Sequence, residues 1–181
     1  MKKFELTNEF IANRFGTKLF RIRALVEFGD VEAGELGGYV EKESNLGHDD
    51  NAWVYGNARV YGDARVYDNA RVYGNARVCG NALVCGNARV CGDARVCGNG
   101  DYAYAHGFGS VNRTTTFFRL KDGGVGVRCG CFYGTLAQFR DKIRETHGET
   151  KKAQEYLMLA DLMELRFEED ENEVGNRKYV E

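Results

Sequence analysis

The sequence predicts a mainly β protein: a short parallel β-helix with a β cap before it and a small α+β domain after it. Eight consecutive six-residue repeats run from 51 to 98. Their period is too long for one amphipathic helix and is not the alternation of one long strand, so each hexad holds a short strand and a corner. The chain has 23 glycines and no proline, which suits corners built from Gly with Asn or Asp.

The hexads share a strand triplet and a corner triplet. They read NAWVYG, NARVYG, DARVYD, NARVYG, NARVCG, NALVCG, NARVCG and DARVCG. The central Val of each strand points to one side, and the flanking Arg and Tyr or Cys point to the other. Such short strands satisfy their edges only when each pairs with a strand of the next coil, about 4.8 Å away. We therefore expect a core of Val and Ala that is too narrow for a ligand.

These repeats resemble the hexapeptide-repeat proteins, whose left-handed β-helix has three hexads per coil. The resemblance implies a left-handed helix of two to three coils in which residues eighteen apart are stacked. Cys79 would then lie beside Cys97. The outward arginines would form short ladders on three faces: Arg59/Arg77/Arg95, Arg71/Arg89, and Arg65 above Leu83.

Residues 1–44 are predicted to form the N-terminal β cap. Strand-like composition covers 3–6 and 17–25, with a turn at 13–16 between them. The glycine-rich stretch 29–50 is predicted to be a loop that covers the first coil, because an exposed coil end is an open strand edge.

The β-helix is assigned to 45–99 and the C-terminal domain to 100–168. A strand is predicted at 101–106 and a glycine-rich bend at 107–110. A hairpin follows, with strands at 114–120 and 125–132 joined by Lys121-Asp122-Gly123-Gly124.

Two helices complete the predicted β-β-α-α domain. Thr135 and Gln138 form a capping box for the first, which ends at His147 and Gly148. The second runs from about 150 to 167. Its stripe at helical spacing contains Tyr156, Ala160, Met163 and Phe167. Residues 169–181 are acidic at the start and are predicted to be a solvated tail.

The order of motifs resembles a family of phage and prophage hexapeptide-repeat proteins of uncharacterised function. The matching motifs are Leu36-Gly37-Gly38-Tyr39-Val40-Glu41, the Val-Tyr-Gly-Asn-Ala hexads, Arg113-Thr114-Thr115-Thr116-Phe117-Phe118, Cys129-Gly130-Cys131-Phe132 and Thr146-His147-Gly148. The resemblance implies that the protein binds a partner in the bacterial host. A more specific expectation is that it inhibits a host defence protein.

Composition indicates the compartment. The formal net charge is −2, which gives the whole molecule no bias toward nucleic acid or membranes. The N-terminus has no signal segment, and the sequence has no apolar run long enough to cross a bilayer. We therefore expect a cytoplasmic protein without membrane association. If the protein is phage-encoded, the compartment is the host cytoplasm. Free thiols are accordingly expected at all six cysteines.

Catalytic alternatives find little support. A hexapeptide-type acyltransferase needs a His general base in the coil, and no His lies between 51 and 98; the three histidines are His48, His106 and His147. A zinc hydratase on this fold would need about three His ligands. Cys129 and Cys131 would face one side of a strand, but a C-x-C pair alone is a weak metal signal. No catalytic residue, metal ligand or cofactor is predicted.

The preferred hypothesis is a non-catalytic macromolecular binding module with a protein partner. Arg and Tyr dominate interface energetics, and the same faces suit a homo-oligomer, either a dimer or a trimer. Nucleic-acid binding through the Arg/Tyr ladders is the alternative. The candidate partner surface comprises Arg59, Arg77, Arg95, Arg71, Arg89, Tyr55, Tyr61, Tyr67, Tyr73, Arg113 and Phe132.

Overall fold

The computed structural model describes residues 1–109 and 111–168; the predicted acidic tail and Ser110 of the predicted bend lie outside these ranges. The fold is a parallel β-solenoid of about three turns, preceded by a strand region and followed by a sheet and two helices. The N-terminal strands are β1 (Phe4–Ala12), β2 (Lys18–Ala24) and β3 (Leu36–Val40).

Each hexad contributes one two-residue strand. These are β4 (Trp53–Val54), β5 (Arg59–Val60), β6 (Arg65–Val66), β7 (Arg71–Val72), β8 (Arg77–Val78), β9 (Leu83–Val84), β10 (Arg89–Val90) and β11 (Arg95–Val96). The C-terminal elements are β12 (Tyr102–Phe108), β13 (Arg113–Arg119), β14 (Val125–Cys129), β15 (Phe132–Thr135), α1 (Leu136–His147) and α2 (Lys151–Phe167).

The strands of the solenoid pair in parallel with an offset of eighteen residues. β5 pairs with β8 and β8 with β11, β4 pairs with β7 and β7 with β10, and β6 pairs with β9. Arg59 is therefore in register with Arg77, and Arg77 with Arg95. This register confirms three hexads per coil and the predicted stacking of the arginines.

The predicted Val and Ala core is confirmed. The eight strand valines are 0% exposed, and the alanine before each strand is at most 1% exposed. Backbone hydrogen bonds join the coils: the Arg59 N–H donates to the Ala76 carbonyl at 2.9 Å, and the Tyr61 N–H donates to the Val78 carbonyl at 3.0 Å. The solenoid is thus stabilised by burial of apolar side chains inside and by continuous rows of backbone hydrogen bonds between its coils.

The N-terminal strands extend one solenoid sheet into a six-stranded sheet of order β1-β2-β3-β5-β8-β11. The turn predicted at 13–16 is confirmed, but β1 is longer than the strand predicted at 3–6. The loop prediction for 29–50 is wrong at β3, which pairs in parallel with β5. Its glycines allow close approach, because a Cβ on Gly38 would lie 2.6 Å from the Ala58 carbonyl oxygen.

The C-terminal sheet has four antiparallel strands in the order β12-β13-β14-β15. The strand predicted at 101–106 and the two strands of the predicted hairpin correspond to β12, β13 and β14, whereas β15 was not predicted as a separate strand. The strand predicted at 125–132 is broken by a two-residue turn, because Cys129 pairs with Phe132 and Gly130 has a φ of 57°. The prediction that Cys129 and Cys131 alternate along one strand is therefore wrong. Cys129 is half-buried and Cys131 is exposed.

Both helices form where they were predicted. The Thr135 hydroxyl accepts a hydrogen bond from the Gln138 N–H at 3.3 Å, which confirms the capping box. The two helices pack a second apolar core against the sheet, and Arg140 of α1 forms ion pairs of 2.8 Å with Asp161 and Glu164 of α2. Within the described ranges, neither helix has the length and apolar character to span a bilayer.

Candidate macromolecule-binding surfaces

One row of arginines crosses the face of the six-stranded sheet. Arg59, Arg77 and Arg95, here called the arginine ladder, lie directly above one another because β5, β8 and β11 are in register. The Val after each arginine points into the core, so the guanidinium groups are directed outward. Tyr39 of β3 continues the row beside Arg59, and its hydroxyl accepts a hydrogen bond of 2.9 Å from Arg21.

The arginine ladder is electrostatically unbalanced. Among the described residues, no carboxylate oxygen lies within 4.0 Å of a ladder guanidinium. The acidic side chain beside the ladder, Asp93, binds Lys121 at 2.9 Å, and this contact lowers the pKa of Asp93. The three like charges stand on neighbouring strands, whose backbones are about 4.8 Å apart, and they repel one another. An anionic surface placed against the ladder would relieve that repulsion.

A cleft borders the ladder on each side. One, of about 360 Å³, lies under the β1–β2 turn and is lined by Arg14, Phe15 and Tyr61. The other, of about 240 Å³, is lined by the corner residues Asn57, Asn75 and Asp93 together with Lys121. The ladder is therefore flanked by one wall with aromatic groups and one with amides.

Cys79 and Cys97 lie at the edge of the first cleft and are joined by a disulfide, with their Cα atoms 4.3 Å apart. The predicted stacking of this pair is confirmed, and the expectation of free thiols is wrong for these two residues. Cys85, Cys91, Cys129 and Cys131 carry free thiols. The bridge links two successive coils beside the ladder.

Arg71, Arg89 and Arg113 meet in a third, open cleft of about 570 Å³ between the solenoid and the C-terminal sheet. Its lining includes one asparagine from each of three successive coils, namely Asn51, Asn69 and Asn87. Arg71 forms a 2.7 Å ion pair with Asp30, which cancels part of the positive charge. This cleft is therefore a weaker anion site than the ladder.

Most of the predicted tyrosines interact within the protein. The Tyr55 hydroxyl donates to Asp30 at 3.1 Å, and burial raises the pKa of Tyr55 to about 12. The Arg128 guanidinium lies 5.8 Å from the Tyr73 ring centroid, and burial raises the pKa of Tyr73. Hydrogen bonding to the Cys85 thiol raises the pKa of Tyr67. Of the four tyrosines, Tyr61 is the one that lines a ladder cleft.

The remaining predicted residue, Phe132, is half-buried and packs its ring 5.5 Å from Phe139 in the C-terminal core. Three residues that complete the ladder surface were not predicted from the sequence: Arg14, Tyr39 and Lys121. They lie in other segments, and only the sheet order brings them to the ladder. Alternation along the strand predicted at 17–25 places Arg21 on the outer face, and this was the sequence signal for its contact with Tyr39.

The histidines do not converge. His48 stacks on Phe4 with 4.4 Å between ring centroids and accepts a hydrogen bond from the Lys3 backbone, whereas His106 contacts Thr114 at 2.9 Å. His147 lies 6.0 Å from the Tyr156 ring. Across 1–109 and 111–168, no group of three or more His, Cys, Asp or Glu is arranged to hold a metal ion.

A match to a family of repeat sequences agrees with the stacked coils of the solenoid. The model of the YdcK β-solenoid repeat matches residues 52–66, 64–80 and 76–92, which lie within the stacked coils. The chain is thus a β-solenoid repeat protein. No curated protein is significantly similar to it.

Proposed function

We propose that the protein is a non-catalytic binding module whose arginine ladder binds an acidic surface on a protein partner. The observation that carries the proposal is the row of three guanidinium groups without a carboxylate partner among the described residues. The ladder lies on paired strands, so its backbone is already ordered before binding and little backbone entropy is lost. Arg is among the residue types that contribute most to interface energy.

A protein partner is favoured over nucleic acid by the state of the aromatic residues. Single-stranded nucleic acid is bound by stacking of bases on exposed aromatic rings, whereas Tyr55, Tyr67 and Tyr73 interact with Asp30, Cys85 and Arg128. The net charge of −2 also lacks the basic excess of most nucleic-acid-binding domains. The resemblance to phage proteins supports a host protein as the partner, in the host cytoplasm, including a defence component that this protein would inhibit.

The test is a double charge reversal, Arg59→Glu with Arg77→Glu. Both side chains lie outside the Val and Ala core, so the variant should fold, and it should lose partner binding because two of three ladder charges are inverted. The measurement is a pull-down from host lysate with and without nuclease, read by mass spectrometry, with unfolding monitored by circular dichroism. Binding of the identified partner to the purified protein should also weaken as salt rises.

The matched control is Arg65→Glu with Arg144→Glu, which changes the net charge equally. Arg65 lies on another face of the solenoid and Arg144 on α1. This control should retain the partner. Equal affinity of the ladder variant and the wild type would reject the proposed site, and capture of nucleic acid alone, lost on nuclease treatment, would reject the protein-partner proposal.

A further inference from the structure

The disulfide between Cys79 and Cys97 lies on the same side of the sheet as the arginine ladder. Each cysteine follows a ladder arginine, Arg77 or Arg95, by two residues, and side chains two apart on a strand point to the same side. The strands that precede the cysteines, β8 and β11, are in register, so the two cysteines are stacked one coil apart. All four residues line the cleft under the β1–β2 turn. Two positive side chains therefore accompany the disulfide.

The two sulfur atoms differ in access. Cys79 is 6% exposed, whereas Cys97, at the end of the last coil, is exposed. The cleft beside them has a volume of about 360 Å³, which is sufficient for a small organic thiol. A disulfide is opened when a thiolate attacks one of its sulfurs, and access decides which sulfur is attacked. The geometry therefore favours attack on Cys97 with Cys79 as the leaving group.

We propose that this disulfide is a thiol–disulfide exchange site, which a low-molecular-weight thiol opens by attack on the Cys97 sulfur. The thiol loses its proton and bonds to Cys97, and Cys79 leaves as a thiolate. A second thiolate then attacks the reagent sulfur, which releases Cys97 as a thiolate together with a small-molecule disulfide. The two protons lost by the reagent pass to the cysteines, so two electrons have moved from the reagent to the protein. The small-molecule disulfide is the oxidant of the reverse reaction.

Arg77 and Arg95 favour this exchange because both the attacking and the leaving groups are thiolates. Cationic neighbours stabilise a thiolate, and a more stable thiolate is a better leaving group. Across 1–109 and 111–168, neither guanidinium has a carboxylate oxygen within 4.0 Å. Their charges are therefore available to the sulfur atoms.

Asp101 holds the attacked cysteine in place. Its Oδ2 accepts hydrogen bonds of 2.9 Å from the N–H groups of both Cys97 and Gly98, and its Oδ1 lies 3.7 Å from Nε of Arg119. The negative charge of Asp101 is thus compensated by two amides and a guanidinium. On the other side of the disulfide, the Cys79 N–H donates to the Val96 carbonyl at 2.8 Å. The backbone around both cysteines is therefore held without the S–S bond.

The disulfide closes a loop of eighteen residues, which is one complete coil. Its reduction should leave the coils paired and lower the resistance of the protein to denaturant, because the unfolded chain is then less constrained. The exchange takes place at the disulfide whatever the ladder binds, so this proposal does not depend on the proposed function.

The first test treats the oxidised, purified full chain with 2-mercaptoethanol in the absence of denaturant. Samples are quenched with acid and mapped by peptide mass spectrometry, and circular dichroism monitors the fold. The disulfide should be reduced in the folded protein, the trapped mixed disulfide should be on Cys97, and bis(2-hydroxyethyl) disulfide should restore the original bond. A bond that is reduced only in denaturant, or a mixed disulfide on Cys79, would overturn the proposal.

The second test removes the two charges with Arg77→Gln and Arg95→Gln together. Reduction by 2-mercaptoethanol should become severalfold slower with an unchanged circular dichroism spectrum, because the attacking and leaving thiolates lose their cationic neighbours. The matched control, Arg65→Gln with Arg144→Gln, changes the net charge equally at distant positions and should react at the wild-type rate. Equal rates in the two double variants would contradict the role assigned to the arginines.

Discussion

Asp68 stands where the other corners of the solenoid have glycine. Its φ is 59°, in the left-handed region, as it is for Gly62 and Gly74 on either side of it in the sequence. Asp tolerates this region better than most residues, although at a cost. Here the carboxylate compensates, because its Oδ2 accepts a hydrogen bond of 2.9 Å from the Gly86 N–H in the next coil.

Asp68→Ala should therefore destabilise the protein by about 1–3 kcal/mol, since it loses this hydrogen bond and keeps the strained φ. Asp68→Asn keeps an acceptor and tolerates the conformation, so it should cost less. Chemical denaturation of the three proteins measures the difference. Equal unfolding free energies for the Ala and Asn variants would show that the hydrogen bond contributes nothing.

Lys3 is buried at 3% exposure, and its ammonium donates to the carbonyls of Asp50 at 2.7 Å and Ala52 at 2.9 Å. Burial lowers the pKa of Lys3 from 10.5 to about 8. Below pH 8 the Lys3 amine is charged in both the folded and the unfolded state, so the folded protein bears the full cost of burying the charge. Between about 8 and 10.5 the unfolded chain binds more protons than the folded one, so stability rises with pH.

Lys3→Met removes this titration. The difference in unfolding free energy between wild type and Lys3→Met should change in favour of the wild type as pH rises from about 8 to 10. The unfolding free energy of Lys2→Met, a change at an exposed neighbour, should depend on pH in the same way as that of the wild type. Denaturation curves at several pH values provide the measurement, and a wild-type advantage that does not vary with pH would contradict the assignment.

Among the elements, β13 closes the last coil of the solenoid. Its fully buried Thr116 accepts a hydrogen bond of 3.0 Å from the Arg89 N–H of β10 through its hydroxyl, and Leu120 forms a bridge with Ala94. The N–H groups at the end of the stack have no further coil to bind. A side-chain hydroxyl supplies the missing acceptor at Arg89.

Thr116→Val keeps the shape and removes the acceptor, so it should destabilise the protein by about 1–3 kcal/mol. Hydrogen exchange locates the effect, because the Arg89 amide should exchange faster in Thr116→Val than in Thr116→Ser, which keeps the hydroxyl. An Arg89 amide equally protected in both variants would mean that the cap is held by packing alone.

Two strands, β3 and β15, were not predicted from the sequence, and glycine is the reason in both cases. β3 was predicted to be a loop because of Gly37 and Gly38, and these glycines are required by the close approach of the next coil. β15 was merged with β14 because Gly130 and Cys131 form a turn within a run of strand-forming residues. Local composition cannot distinguish a glycine that ends a strand from one that lets a strand pack tightly.

At the scale of the whole molecule, the repeat made most of the architecture predictable. A period of six gives the strands, the corners and the core, and the eighteen-residue register gives the arginine ladder. The sequence could not place Asp30 beside Tyr55 and Arg71, or Arg14 and Lys121 beside the ladder. These contacts join segments far apart in the chain, and only the packing of the cap and the C-terminal domain on the solenoid creates them.

The offset of eighteen residues also means that the length of the solenoid is set by its number of complete coils. A duplication of one complete coil would leave both ends in their present orientation and lengthen the ladder by one arginine, or about 4.8 Å. Gain or loss of a single hexad would instead rotate the C-terminal domain by about a third of a turn around the solenoid axis. Divergent copies of this gene could therefore change the reach of the charged face in whole steps, while its geometry relative to the helices stays fixed.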